Sequence, residues 1–437
     1  MKKPGNGTRF FVLLFVTIVF SATVSARGSG QSSPPAQGIS DEQPPNPKGS
    51  NPKPKDATKA ILEAFDKYEV VGMGAAHRNK DLDDFILELI RNPAIPSKIN
   101  DVVVECGNSL YQPILDRYTA GDDVPLDEVR HVWRNTTQPM CGVSGFYEEL
   151  FPLLRRINQK LPPNKKLRVL AGDPPIEWSK VKSSEDFWQL MQRDTCIASV
   201  MEKEVLSKHR KALMLFGTAH LYHGGNADLG SAVELYEKDY PGVTLVIADH
   251  QGFGDFTPLA KYNDQFEARM ASWPVPSLVE NMVGTWLADL LDKADSSAGV
   301  VIVTKTGKDG KPSESHARPA EAITEFSRMV DAYLYLGPRD LLLKETNPAE
   351  VFLNKDYMAE MQRRAAVMGA GPITDQANPE KVSDRDFNPF LYDPDEFRRI
   401  MQTPDLNPSQ SGVSPQPLPP QRTPPSSPQP LANEKLP

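Results

Sequence analysis

Two histidines follow apolar runs in the same local pattern. The stretches "GAAH", which ends at His77, and "GTAH", which ends at His220, are both Gly-x-x-His, and each comes directly after a run of apolar residues. The glycine permits a tight turn, and the small residues let the backbone approach a ligand. An imidazole in such a turn can bind a divalent metal ion or act as a general base.

Acidic side chains end two further apolar runs. Glu105 ends "VVVE" and Asp173 ends "RVLAGD". Two imidazoles and a carboxylate suffice to hold a divalent ion with open positions, so we predict that His77, Glu105 and His220 form a metal site or a catalytic group. Either histidine could instead be a turn residue, and Glu105 could cap a helix that begins near residue 108. Asp173 precedes two prolines, so it could equally belong to a turn.

Short β-branched runs alternate with amphipathic stretches between residues 60 and 250. Apolar residues recur at helical spacing after Asn79, which is a common helix-capping type, and Pro93 ends that run. This alternation predicts an α/β fold with a mostly parallel sheet, helices on both faces and an extra C-terminal α+β extension. Five runs have the composition of buried strands: "EVVGMG", "DVVVEC", "KLRVLAGD", "KALMLFG" and "GVTLVIAD".

Ligands of open α/β sheets bind beyond the carboxyl ends of the strands. His77, Glu105, Asp173 and His220 all follow predicted strands. We therefore expect these four side chains to meet at one edge of the sheet. His223 comes three residues after His220, and we expect it at the same edge, where it would contact the substrate or support the ligands.

Three features of this sequence resemble those of the superfamily that joins Tiki and TraB proteins, the haem-uptake protein ChaN and erythromycin esterase. They are the paired Gly-x-x-His motifs, the Glu that ends "VVVE" and the helix "RDTCIASV". The resemblance covers roughly residues 65 to 250. It implies either hydrolysis of an ester or amide, or the binding of haem or iron. The matching residues are His77, Glu105, Arg193 with Asp194, and His220.

The chain departs from this family in the first motif. The family usually has a Glu just before or within the Gly-to-His interval, where this chain has Gly74, Ala75 and Ala76. Such a Glu could orient His77 or complete a metal site, so its loss leaves open a site that binds without catalysing. Arg193 could also have only a structural role, in which it neutralises a carboxylate. We rank a hydrolase first, with a divalent metal ion or haem as the expected cofactor.

Charge and cysteine content limit the partners. The formal net charge of −8 disfavours binding to nucleic acid or to an anionic membrane surface, so we expect a small-molecule or peptide substrate. Three cysteines allow at most one intramolecular disulfide, so the core must supply most of the stability. For that one bridge we expect Cys141 and Cys196.

The N-terminal segment predicts export. Lys2, Lys3 and Arg9 precede the apolar run "FFVLLFVTIVF", and "VSA" offers a cleavage point after Ala26. Together these predict a signal peptide over residues 1–26 and a periplasmic or extracellular protein. No later run is long and uncharged enough to span a membrane.

Composition also divides the rest of the chain. Residues 27–58 and 404–437 are rich in Pro and Ser and predict disorder. Between them we predict an α/β domain over 59–275 and a C-terminal part packed on it over 276–403. That part includes a polar excursion at 292–321, in which "VVIV" suggests a short hairpin.

Overall fold

The structure of this chain is a computed structural model. His77 lies outside the residues that it describes, as do most of the predicted signal peptide and the whole predicted C-terminal tail. The described residues are 12–14, 46–74, 79–224, 230–252, 260–297, 300–306, 312–319, 325–343, 345 and 348–368.

The strands of the described residues form two sheets. They are β1 (Val12–Leu14), β2 (Lys55–Asp56), β3 (Val70–Gly74), β4 (Asp101–Asn108), β5 (Arg168–Asp173), β6 (Ala212–Phe216), β7 (Thr244–Asp249), β8 (Ser277–Glu280), β9 (Val300–Thr306), β10 (Pro312–Pro319) and β11 (Ala332–Tyr335). The main sheet has eight strands in the order β2-β8-β11-β7-β3-β6-β4-β5. The five predicted strands are β3 to β7, and all of their pairings are parallel.

Helices cover both faces of this sheet, as predicted. They are α1 (Ala57–Ala64), α2 (Lys80–Arg91), α3 (Ile95–Lys98), α4 (Gln112–Ala120), α5 (Leu126–Arg134), α6 (Phe146–Asn158), α7 (Ser184–Leu190), α8 (Arg193–Val200), α9 (Ala232–Tyr236), α10 (Asn263–Met270), α11 (Trp286–Ser297), α12 (Phe326–Met329), α13 (Ala349–Leu353) and α14 (Lys355–Val367). Successive residues of a strand point to opposite faces. On β4, Val102 and Val104 accordingly pack against α1, α2 and α4 to α6, whereas Val103 packs against α8 to α11.

The predicted C-terminal part contributes to the main sheet itself. Strand β11 pairs in parallel with β7, and β8 and β2 add antiparallel strands beyond it. Within the predicted polar excursion, β9 and β10 form an antiparallel pair to which β1 adds a third strand. Ordered contacts also begin before the predicted domain boundary at residue 59, because Ser50 bridges Thr285 and β2 joins the sheet. In the described part of the chain, no helix has both the length and the apolar character needed to cross a bilayer.

The cysteine pairing differs from the expectation. Cys106, on β4, forms a disulfide with Cys141, so the expected pair of Cys141 and Cys196 is wrong. Cys196 lies on α8 as a free thiol. Cys141 belongs to a 3₁₀ turn, Pro139–Val143, whose position beside the end of β4 cannot be inferred from the spacing of the cysteines along the chain.

Register brings the expected strand ends to one edge. Val104 lies opposite Leu215 of β6 on one side and Ala171 of β5 on the other. Glu105 is therefore level with the ends of both neighbouring strands, because the pairings are parallel.

Candidate functional site

Arg193 is buried between two carboxylates from neighbouring strands. Its Nη2 donates to Oε1 of Glu105 at 2.7 Å, and its Nε donates to Oδ1 of Asp173 at 2.9 Å. All three side chains are at least nine-tenths buried. A carboxylate at this depth is costly unless it is paired, so Arg193 stabilises both acids.

The third nitrogen of the guanidinium faces a histidine of the second Gly-x-x-His motif. Nη1 of Arg193 lies 3.0 Å from Nε2 of His220, and Nδ1 of His220 lies 2.8 Å from Oδ1 of Asp194. A carboxylate only accepts and a guanidinium only donates. The network therefore assigns the imidazole hydrogen to Nδ1 and leaves Nε2 as an acceptor.

Backbone N–H groups hold the two carboxylates that contact His220 and Arg193. Oε2 of Glu105 accepts from the backbone N of Gly217 at 2.6 Å, and Oδ1 of Asp194 accepts from the backbone N of Ala232 at 2.9 Å. A Cβ on Gly217 would lie 3.3 Å from Oε2 of Glu105, closer than most such contacts. The glycine of the motif thus gives Glu105 room to reach the backbone.

Asp173 is fixed from its other side by Thr137. The backbone N of Thr137 donates to Oδ2 at 2.5 Å, and its Oγ1 donates to Oδ1 at 2.7 Å. Burial raises the pKa of Asp173, although Arg193 and Thr137 oppose that shift. Burial also disfavours the charge of Arg193, but Glu105 and Asp173 outweigh burial and raise the pKa of Arg193, so the guanidinium stays charged.

The described part of the site carries an excess of negative groups. Glu105, Asp173 and Asp194 surround one guanidinium and one imidazole. Only His220 and Asp194 reach solvent to a useful extent, with 16% and 31% of their side chains exposed. A ligand that arrives from solvent therefore meets His220 and Asp194 first.

Five of the predicted site residues form this one group, and one does not join it. The structure brings together Glu105, Asp173, Arg193, Asp194 and His220. His223 lies elsewhere, with Nδ1 at 2.9 Å from Oε2 of Glu237 and Nε2 at 2.8 Å from Oδ2 of Asp331. His77 falls outside the described residues, so its role stays a prediction.

The sequence analysis did not single out two polar residues: one at the carboxyl end of a neighbouring strand and one that holds Asp173. Asp249 ends β7, the strand next to β3, and its Oδ2 accepts from Nδ2 of Asn79 at 3.2 Å. Burial raises the pKa of Asp249 to about 6. The sequence does contain a signal for Asp249, because this residue ends the apolar run "TLVIAD" just as Glu105 ends the run "VVVE". Thr137 carries no comparable signal, since it lies in a loop far from Asp173 along the chain.

The donor atoms of this group are engaged by their neighbours. Among the described residues, no three His, Cys, Asp or Glu side chains are grouped so that they could hold a metal ion. Both oxygens of Glu105 and both ring nitrogens of His220 have polar partners, and the guanidinium of Arg193 lies where it would repel a cation. These residues do not fit a metal ion in this arrangement. The predicted set with His77 remains open.

A haem ligand is subject to the same test. At this edge of the sheet, the axial ligand expected is a His nitrogen or a Tyr oxygen that can turn to the iron. Both nitrogens of His220 are engaged, and the hydroxyl of Tyr333 is buried at 2.8 Å from Nδ1 of His250. These groups do not fit an axial role as they are arranged.

Comparisons by sequence return nothing. No family model matches the chain, and no curated protein matches it.

Comparisons of the fold do return matches. A succinoglycan biosynthesis protein matches with a TM-score of 0.40 and 10% identity, over 67% of this chain and 93% of the other. A mutant of erythromycin esterase in its open conformation matches with a TM-score of 0.39 and 11% identity, over 65% of this chain and 94% of the other. ChaN of Campylobacter jejuni, a structure with cofacially bound haem, matches with a TM-score of 0.30 and 14% identity, over 47% of this chain and 89% of the other. ChaN and erythromycin esterase are therefore among the solved structures whose fold this chain matches.

Proposed function

We propose that the protein is a hydrolase of a neutral ester or amide, with His220 as the general base. The observation that carries this proposal is the placement of one imidazole between Asp194 and Arg193. A carboxylate on Nδ1 fixes the tautomer in which Nε2 can accept a proton, and this arrangement recurs in hydrolases of unrelated folds.

The chemistry assigns a role to each group. A water molecule takes the place of the Arg193 hydrogen bond at Nε2 and gives its proton to His220 while its oxygen bonds to the substrate carbonyl carbon. The released Nη1–H of Arg193 donates to the oxyanion that forms. Glu105, whose Oε1 lies 3.6 Å from Nε2, stabilises the imidazolium. The proton on Nε2 then passes to the departing alcohol or amine, and the carbon–oxygen or carbon–nitrogen bond breaks.

The charge of the site supports a neutral substrate. One guanidinium faces two buried carboxylates, with Asp194 beside His220, so an anionic substrate would meet net repulsion. A neutral ester or amide carries no negative charge for these carboxylates to repel. Arg193 occupies the place between Glu105 and His220, so the proposed reaction uses a water molecule and the guanidinium and no metal ion.

A turnover assay with matched variants tests the proposal. The panel contains p-nitrophenyl esters of short and medium chain length and the corresponding anilides. We expect His220→Ala to lower kcat by about 10²- to 10⁴-fold. His131→Ala, which changes an exposed histidine of α5, should leave kcat unchanged. Equal turnover by the wild type and His220→Ala would contradict the role of His220.

The haem alternative is tested on the same preparations. Haemin is added to each protein and the absorption spectrum is recorded. A Soret band with tight binding in the wild type, together with no turnover of any ester or anilide, would replace the hydrolase with a haem binder.

Export is part of the proposal. The apolar N-terminal run supports it, and so does the disulfide between Cys106 and Cys141, since such bridges persist in oxidising compartments. Fractionation of the producing cells tests it. Full-length protein recovered with cytosolic markers, without removal of residues 1–26, would count against export.

A further inference from the structure

Arg364 of α14 is a buried cation that holds a turn at the end of α5. Its Nη1 donates to the backbone O of Arg134 and its Nη2 donates to Oδ1 of Asn135, both at 2.8 Å. Its guanidinium lies 4.9 Å from the ring centre of Trp178, and its Nε donates to Oε1 of Glu360 at 2.8 Å. Together these contacts fix the orientation of the guanidinium.

The same turn carries the residue that holds Asp173. Nε1 of Trp178 donates to the backbone O of Thr136 at 3.1 Å, and the next residue, Thr137, donates twice to Asp173. Asp173 in turn accepts from Nε of Arg193. A continuous series of hydrogen bonds and one ring contact thus runs from α14 to the proposed site.

A cavity beside the turn makes these bonds important. A space of about 470 Å³ borders Asn135, Trp178 and Arg364. On this side the turn lies against open space as well as packed side chains. At Asn135, which borders the cavity, the hydrogen bond to Arg364 therefore supplies a restraint that packing does not.

We propose that Arg364 is a positioning residue for the site, and that it acts through Thr137 and Asp173 on the orientation of Arg193 and His220. This inference rests on the proposed hydrolase function for its kinetic consequence. Loss of Arg364 removes two of the hydrogen bonds that hold the turn, which loosens Thr137, lets Asp173 shift and moves the guanidinium that contacts His220. A misplacement of this kind lowers kcat more than it raises KM, because the substrate does not touch the turn.

The neighbouring residue provides a matched control. Arg363 is also on α14, and it donates to the backbone O of Val181 and of Trp178, both at 2.8 Å, and to Glu360. These bonds hold the backbone of the loop that follows β5, including that of Trp178, and none of them is made to Arg134, Asn135 or Thr137. Arg363→Ala and Arg364→Ala therefore remove the same charge from the same helix with different expected effects.

The experiment uses the full chain and two readouts. We expect Arg364→Ala to lower kcat on the ester panel by about 10- to 100-fold with KM within about twofold, and added millimolar guanidinium to restore part of the loss. Arg363→Ala should keep kcat. In ¹⁵N-histidine NMR spectra, the His220 signals should shift in Arg364→Ala and stay in place in Arg363→Ala.

The two readouts separate this inference from the proposed function. A wild type without turnover would contradict the hydrolase, while the His220 signals would still decide whether Arg364 positions the site. A folded Arg364→Ala protein with wild-type His220 signals would overturn the inference. If Arg364→Ala does not fold, Arg364→Lys takes its place, since it keeps the charge but not the two-pronged geometry. Wild-type His220 signals in that variant would overturn the inference equally.

Discussion

Nη1 of Arg193 lies 3.0 Å from Nε2 of His220, and Asp194 occupies the other ring nitrogen at 2.8 Å. The imidazole is thus held between a donor and an acceptor, which together select one of its two neutral tautomers. The acceptor nitrogen, Nε2, faces Arg193 and lies 3.6 Å from Oε1 of Glu105.

Asp194→Asn should weaken the bond that sets the tautomer of His220. If the amide nitrogen faces Nδ1, it favours the form with hydrogen on Nε2, which cannot accept from Arg193 or from water. If the amide oxygen stays at Nδ1, where it also accepts from Ala232, the bond weakens because the acceptor has lost its charge. We expect kcat to fall by about 10²- to 10⁴-fold, as for other His–carboxylate pairs. The ¹⁵N shifts of His220 report the tautomer directly. Asp127→Asn, an exposed change on α5, is the control, and a wild type whose His220 carries its hydrogen on Nε2 would refute the assignment.

Arg193→Met should destabilise the fold strongly. The change leaves Glu105 and Asp173 buried without their cation, which costs about 3–5 kcal/mol in the free energy of unfolding. Urea unfolding followed by circular dichroism measures the loss. Adding Glu105→Gln to Arg193→Met should recover part of it, because one uncompensated charge is then removed. An unfolding free energy equal to that of the wild type would show that the guanidinium is not needed to hold these acids.

His223 should stabilise the protein at neutral pH and lose that effect in alkali. Burial opposes the charge of its ring, but the hydrogen bonds to Asp331 and Glu237 outweigh burial and raise the pKa of His223 to about 9. The folded state holds this proton more tightly than the unfolded state. The stabilisation is therefore complete below about pH 6.5 and lost as pH rises through about 9.

Unfolding at two pH values measures this effect. We expect His223→Gln to lower the unfolding free energy by on the order of 2 kcal/mol at pH 6 and by much less at pH 10. His131→Gln, at an exposed site, should match the wild type at both. A loss of equal size at pH 6 and pH 10 would mean that the charge of His223 is not responsible.

Asp83→Asn should raise stability at neutral pH. Asp83 of α2 is 8% exposed, and its Oδ2 has no hydrogen-bond partner among the described residues. Burial and nearby Glu345 raise the pKa of Asp83 from 3.8 to about 9. The folded state therefore keeps a proton that the unfolded state releases above about pH 4, so the wild type loses stability as pH rises towards 9.

An uncharged amide avoids this loss. We expect Asp83→Asn to be more stable than the wild type by about 2 kcal/mol at pH 7, with the gap closing near pH 4. Thermal unfolding at several pH values gives the comparison. Asp84→Asn, at the exposed neighbouring position, should show no such pH dependence. A variant that is less stable than the wild type at pH 7 would mean that Asp83 is ionised in the folded protein.

Removal of the disulfide should cost stability. The bridge closes a loop with a sequence separation of 35 residues. Loop entropy for that length gives roughly 4 kcal/mol for Cys106→Ser/Cys141→Ser. Peptide mass spectrometry without reduction should show the pair directly. Cys196→Ser is the control and should change little, and a peptide that links Cys196 to either other cysteine would contradict the pairing.

The strands and most of the site were predictable because they depend on local pattern. Each of β3 to β7 is a short apolar run, and a parallel sheet requires such runs because both of its faces are buried. Glu105 and Asp173 could be assigned to one edge because parallel strands end together. Arg193 and Asp194 came only from the resemblance to a family, since nothing in a helix start indicates which carboxylates it will face.

The errors concern residues whose position depends on tertiary contacts. His223 is close to His220 in sequence, but the chain between them turns back, and Leu221 packs onto the face of β3 where a Cβ on Gly72 would lie 3.1 Å from it. The turn carries His223 to Glu237 and Asp331. The partner of Cys141 was wrongly predicted for the same reason, because tertiary contacts place the 3₁₀ turn that contains Cys141 beside Cys106 of β4.

The disulfide ties together two supports of the site. Cys106 directly follows Glu105, and Cys141 lies four residues beyond Thr137, which holds Asp173. Before the bridge forms, the chain has all of its site residues but lacks the covalent tie that fixes Glu105 relative to Thr137. The proposed export would carry the chain to an oxidising compartment where this tie can form, and the reduced chain in the cytosol would lack it.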